Sequence, residues 1–122
     1  MTQTDQSPAV ARLEQIEDGG FFETEARIDG DDESLILHRE GDQVRAWLNV
    51  CPHAGRRLDW APGKFLVDKQ GRLVCAVHGA TFELRNGECI AGPCRGAMLK
   101  AIPVELHDGA VFLAGGALRT SG

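Results

Sequence analysis

A chain of 122 residues, 43% of them hydrophobic, is long enough for one packed domain and too short for a cofactor domain plus a separate catalytic one. Its 13 basic and 18 acidic residues leave a net charge of −5, which argues against a nucleic-acid binder whose affinity would depend on neutralising phosphates. There is no apolar run of about 18 residues or more, and Met1 to Asp18 lacks a basic start followed by an apolar core, so neither a membrane span nor a signal peptide is expected. The expected location is therefore cytoplasmic, where the 4 cysteines read as ligands and thiols rather than disulfides.

Residues 1–8 are polar and turn-prone, as a frayed end would be. From Ala11 onward, short apolar runs alternate with Gly and Asp punctuation, the pattern of an all-β chain of short strands and tight turns. Glu14 to Gly20 reads as one helical turn or a loop. Phe21 to Ile28 alternates in part, placing Phe22, Thr24, Ala26 and Ile28 on one side of a half-buried strand, and Asp29-Gly30-Asp31-Asp32 reads as a turn. Leu35 to Arg39 and Val44 to Val50 flank Glu40-Gly41-Asp42-Gln43, a hairpin signal, with Trp47 read as a packing residue. His38 and His107 sit among charged neighbours in strand-like runs and are expected at the surface.

The strand ending at Val50 leads directly into Cys51-Pro52-His53-Ala54-Gly55, where Pro and Gly let the backbone turn sharply. Arg56 and Arg57 follow as a basic pair. Phe65 to Val67 and Arg72 to Cys75, around Asp68 to Gly71, then form two arms of a hairpin that delivers Cys75-Ala76-Val77-His78-Gly79. Thr81 to Leu84 and Glu88 to Ile90 are joined by Arg85-Asn86-Gly87, a strong turn signal. Gly92-Pro93-Cys94-Arg95-Gly96 is a loop of little side-chain bulk. Ile102 to Leu106 and Val111 to Leu113 close the chain as a last hairpin around Asp108-Gly109, before a Gly-rich tail. Cys89 and Cys94 are read as buried thiols.

The chemistry lies in C-x-H at Cys51 and His53 and C-x-x-H at Cys75 and His78. Two thiolates and two imidazoles suit either tetrahedral zinc or an iron–sulfur centre in which histidines replace two cysteines. A Cys2His2 zinc finger puts both cysteines on one arm and both histidines on the other. Here each arm carries one of each, an order that suits a two-iron cluster with the cysteines on one iron and the histidines on the other.

With Gly55, Gly79, Phe82 and the Gly92-Pro93 loop around them, these motifs resemble the Rieske family over roughly Ala11 to Leu113. The 21 residues between His53 and Cys75 suggest a local insertion. The resemblance implies a single all-β Rieske domain over residues 1–122, an antiparallel sheet base with a small cluster-binding subdomain at about 50–95. It implies a [2Fe–2S] cluster on Cys51, His53, Cys75 and His78. Gly92-Pro93 would cover that cluster, and the hairpin of 81–90 would form a floor beneath it. A Rieske oxygenase also needs a mononuclear iron, commonly on two histidines and a carboxylate, and only His38 and His107 remain to supply one. The expectation is thus an electron-transfer protein with no catalytic residue of its own: a one-electron carrier, with a flavin-dependent reductase and an oxygenase as redox partners. Its negative charge can steer docking onto a basic patch of such a partner. Two alternatives remain, a small Rieske subunit of a larger reductase such as a nitrite reductase, and a non-redox zinc or interaction domain. Arg56 and Val77 stand where high-potential members of the family carry a disulfide, Ala80 stands where they carry a serine, and the chain has no Tyr. The potential should therefore lie near the low end of the Rieske range, with the Thr81 hydroxyl as a possible substitute donor.

Overall fold

The computed structural model describes residues 9–52, 55, 57–75, 79–92 and 95–114. Within them run ten strands: β1 (Ala11–Arg12), β2 (Phe21–Ile28), β3 (Asp31–Glu40), β4 (Gln43–Leu48), β5 (Leu66–Val67), β6 (Leu73–Val74), β7 (Thr81–Phe82), β8 (Cys89–Ala91), β9 (Val104–His107) and β10 (Ala110–Leu113). The Glu14 to Gly20 stretch, read as a helical turn or loop, contributes one 3-10 turn starting a residue earlier, Leu13–Gln15. No helix among the described residues is long and apolar enough to cross a membrane. The chain divides into two compact units, one from residues 9–46 and 102–114 of the described chain and the other from Trp47–Ala101.

The first unit is built around two three-stranded sheets, β2-β3-β4 and β1-β10-β9. In the second of these, β1 pairs antiparallel with β10, Ala11 opposite Val111, so the first and last described strands share one sheet. β2 and β3 pair antiparallel from Phe21↔His38 to Ile28↔Asp31. The turn between them is shorter than the four residues expected. Only Asp29 and Gly30 make it, both at positive φ (56° and 86°), because two such residues match the right-handed twist of the strands they join.

His38 departs from the expected surface position. It is buried, 5% exposed, at the end of a run in which Leu35, Ile36 and Leu37 are also buried. β3 is the central strand of its sheet and both of its faces are covered here, so alternation along it does not separate inside from outside. The His38 ring lies 4.6 Å from that of Phe21, and its Nδ1 donates to the Gly20 carbonyl at 3.1 Å. Burial holds its pKa below the ordinary histidine value, against the opposing pull of the Gly20 hydrogen bond and Glu40. His107 is exposed, as expected. Next to His38, Arg39 donates to the carbonyls of Leu13, Ile16 and Gly41, tying the 3-10 turn to β3.

The second unit holds the four-stranded sheet β5-β6-β7-β8, antiparallel at each pairing. Trp47, Leu58, Leu73, Ala80, Phe82, Cys89 and Leu99 are buried in it. Trp47 is a packing residue, as read from the sequence. A Cβ at Gly87 would lie 3.0 Å from its indole Nε1, so the turn after β7 fits the indole only because it has no side chain there. The subdomain expected at about 50–95 falls inside this unit.

Candidate metal centre

Two loops of this unit begin at a buried cysteine, and both are closed in the same way. Cys51 is 1% exposed, and its carbonyl accepts the Gly55 N–H at 2.8 Å. Cys75 is also 1% exposed, and its carbonyl accepts the Gly79 N–H at 2.9 Å. Each closing glycine has positive φ, 68° and 76°, a conformation that glycine enters without steric penalty. The Cys-x-x-x-Gly spacing thus gives two matching cysteine carbonyl to glycine N–H bonds, one beyond the end of β4 and one just after β6. The Cys75 loop is clamped further, since its N–H donates to the Ala80 carbonyl at 2.7 Å.

Of the four predicted ligands, Cys51 and Cys75 are described and His53 and His78 lie outside the described residues, as do Arg56, Val77, Pro93 and Cys94. Among the described residues no three His, Cys, Asp or Glu side chains form a metal-binding group. Cys89 is buried, as predicted, and its Sγ lies 3.2 Å from the Ala91 carbonyl. The Thr81 hydroxyl donates to the Gly79 carbonyl at 3.1 Å, so its single proton is engaged by the backbone of the second loop.

Two supports of these loops were not foreseen. The first is a buried polar cluster that ties the stem of the first loop to the segment after it. Asn49, 1% exposed and two residues before Cys51, accepts the Leu58 N–H on Oδ1 at 2.8 Å and hydrogen-bonds the Asp59 carboxylate. Asp59 also accepts Arg57 through both Nε (3.0 Å) and a terminal nitrogen (2.8 Å), and the Gly63 N–H at 3.0 Å. Burial, the largest influence, pushes the Asp59 carboxyl up, but these hydrogen bonds and the Arg57 charge together hold it below its ordinary value. The visible signal was an Asp two residues after an Arg, a pattern too common to single out. The second support is Gly92, whose Cβ position lies 2.8 Å from the Ala80 Cα, so the third loop presses backbone to backbone on the residue after Gly79.

A sheet unit with two buried cysteines held alike, each followed within three residues by a histidine in sequence, defines a β-protein built around a cysteine pair. The Rieske [2Fe-2S] domain model matches residues 6–105, and the chain belongs to that family and carries a [2Fe–2S] cluster. The ferredoxin of carbazole 1,9a-dioxygenase from Nocardioides aromaticivorans IC177 superposes with a TM-score of 0.67 at 28% identity, over 88% of this chain and 95% of that one. The terminal oxygenase of carbazole 1,9a-dioxygenase from Novosphingobium sp. KA1 shares the fold, with a TM-score of 0.68 at 24% identity, over 87% of this chain and 28% of that one. By sequence, the carnitine monooxygenase oxygenase subunit of Escherichia coli (strain K12) is 32% identical over 66% of this chain and 22% of its own length. The methanesulfonate monooxygenase hydroxylase subunit alpha of Methylosulfonomonas methylovora is 36% identical over 48% and 15%. The chain thus spans less than a quarter of the length of these two relatives.

Proposed function

We propose that this chain is a ferredoxin-type one-electron carrier, receiving an electron from a flavin-dependent reductase and passing it to an oxygenase in the cytoplasm. Its likeness to a ferredoxin over 95% of that ferredoxin's length carries this reading. The ligands proposed are the thiolates of Cys51 and Cys75 and the imidazoles of His53 and His78, which makes residues 47–101 the cluster-binding unit. When bound, the cluster supplies one reversible electron at a potential raised by its two neutral imidazole ligands. The chain's part is to bind and orient it. Burial keeps water from the thiolates, the Gly55 and Gly79 bonds fix the backbone carbonyls of the two cysteines, and the Asn49–Asp59 cluster holds the stem of the first loop.

The test is assembly followed by turnover. Cys51→Ser, His53→Ala, Cys75→Ser and His78→Ala should each give protein without the visible absorption of the cluster, while Cys89→Ser keeps it. Intact holoprotein should be reduced by NADH through a flavin-dependent reductase and reoxidised once per cluster. Retention of the spectrum in both Cys51→Ser and Cys75→Ser would overturn the ligand assignment, and failure of the cluster to take up an electron would overturn the carrier reading.

A further inference from the structure

The charge of −5 is not spread evenly. By sequence, residues 47–101 hold 8 basic and 4 acidic side chains, a net of +4, and the other unit holds 5 basic and 14 acidic, a net of −9. The unit with the cysteine loops is therefore basic within an acidic protein. Exposed apolar groups follow the same division. Among the described residues, the exposed large hydrophobic side chains are Val50, Trp60, Leu66, Val67 and Met98, and all belong to the basic unit.

Three of them, Trp60, Leu66 and Val67, lie on the arm of residues 57–72 between the two cysteine loops. The arm is fastened to both. At one end Leu58 N–H donates to Asn49, two residues before Cys51; at the other β5 pairs with β6, which runs into Cys75. Trp60 is 59% exposed beside a tight turn, its N–H donating to the Lys64 carbonyl at 2.9 Å. Leu66 and Val67 are 44% and 46% exposed, although adjacent strand residues point to opposite faces, so β5 stands clear at the sheet edge. The arm's carboxylates are engaged by its own arginines, Asp59 by Arg57 and Asp68 by Arg72. Lys64 and Lys69 are exposed and form no ion pair among the described residues, leaving two unmatched positive charges on the same arm as the exposed apolar side chains.

We infer that the 57–72 arm is the docking surface for the redox partner, and that the partner face it fits is acidic around an apolar centre. The inference rests on the carrier reading and reverses what the net charge suggests, since a protein of −5 would be steered to a basic partner. Screening decides between the two. Beyond about 8 Å at physiological salt exposed charges are largely damped, so an approaching partner responds to the unit it meets. An aromatic anchor on a segment with unmatched charge of one sign supplies both parts of a transient interface, with Trp60 filling an apolar pocket and the lysines setting encounter rate and orientation.

The field is tested with reduced holoprotein in stopped flow, using anionic hexacyanoferrate(III) and cationic hexaammineruthenium(III). Each takes one electron from the cluster, its metal passing from the trivalent to the divalent state. The anion should react with a rate that falls as salt rises and the cation with one that increases. Lys64→Glu with Lys69→Glu should slow the anion at low salt by about tenfold, at the lower end of steering effects, with the cluster spectrum unchanged. Rates that follow the net charge and ignore the reversals would overturn the proposal while leaving the carrier reading intact. A reduced cluster that gives no electron to either reagent would remove the carrier reading and the proposal with it. The apolar half is read separately: a glutamate–tyrosine copolymer should bind more tightly than polyglutamate, and Trp60→Ala should erase the difference. Equal binding of both polymers by the unsubstituted protein, or sedimentation with phosphatidylserine vesicles that the lysine reversals abolish, would overturn it.

Discussion

Gly92→Ala is the substitution for which the structure gives the most definite magnitude. Gly92 has φ 97°, and a Cβ there would lie 2.8 Å from the Ala80 Cα and 3.2 Å from its backbone nitrogen. Ala80 is fully buried and its carbonyl accepts the Cys75 N–H, so the atoms in the way are backbone and cannot swing aside as a side chain would. Left-handed backbone geometry costs a non-glycine residue about 1–2 kcal/mol, and overpacking adds about 1–3. The expected destabilisation is therefore about 2–5 kcal/mol. Gly71→Ala is the control, because Gly71 has φ 82° with nothing within 4 Å of the new Cβ, and only the first contribution applies. Any stabilisation from restricting the unfolded chain is shared by both variants and cancels in the comparison. Urea unfolding of the holoproteins, followed by tryptophan fluorescence and by visible cluster absorption, should place Gly92→Ala below Gly71→Ala by about 1–3 kcal/mol. Cluster release to a chelator should also be faster in Gly92→Ala alone. Equal destabilisation of the two variants would show that the third loop does not bear on Ala80, and the reasoning would fail.

Asn49→Ala removes the acceptor of the Leu58 N–H and a hydrogen-bonding partner of buried Asp59, and should destabilise by about 1–3 kcal/mol in the same urea assay. The Asp59 contribution is present above the unfolded carboxyl pKa of about 3.9 and is lost as pH falls through the lower folded value; a flat acid limb would refute this. His38 has the opposite ionisation and the same pH direction. Its folded pKa is depressed, so the unfolded chain binds more protons below about pH 6.5 and stability should fall with acid from there downward. His38→Gln should flatten that limb between pH 6.5 and the folded pKa; an unchanged slope would contradict it. The midpoint potential should lie near the low end of the Rieske range, about −150 mV, because Ala80 brings no hydroxyl and the Thr81 proton goes to the Gly79 carbonyl. A midpoint above roughly +100 mV by voltammetry at neutral pH would show that strong donors reach the cluster sulfurs after all.

Much of this protein is written in short stretches of chain. The hairpin around Gly41 and the last one around Asp108-Gly109 could be read directly, because turn chemistry involves residues that are neighbours in sequence. The same is true of the two cysteine loops, since Cys51 and Gly55, like Cys75 and Gly79, are close enough along the chain for one backbone hydrogen bond to close each. The all-β class followed from the repetition of such signals, and the family from the ligand motifs themselves. What escaped depends on partners far along the chain or on the sum of many neighbours. His38 looks like a surface residue among charged neighbours and is buried because its strand is central, with both faces covered. Trp47 and Trp60 share a residue type, yet one is 3% exposed and the other 59%, and it is Trp47 whose indole lies against Gly87, forty residues on. The pressure of Gly92 on Ala80 joins residues twelve apart through the fold between them. Net charge and the excess of positive residues between 47 and 101 were legible in the chain, but only the tertiary structure decided which of them stay open to a partner: Arg57 and Arg72 are matched by Asp59 and Asp68 while Lys64 and Lys69 stand exposed, because pairing depends on where folding places each side chain and not on how many charges a segment carries.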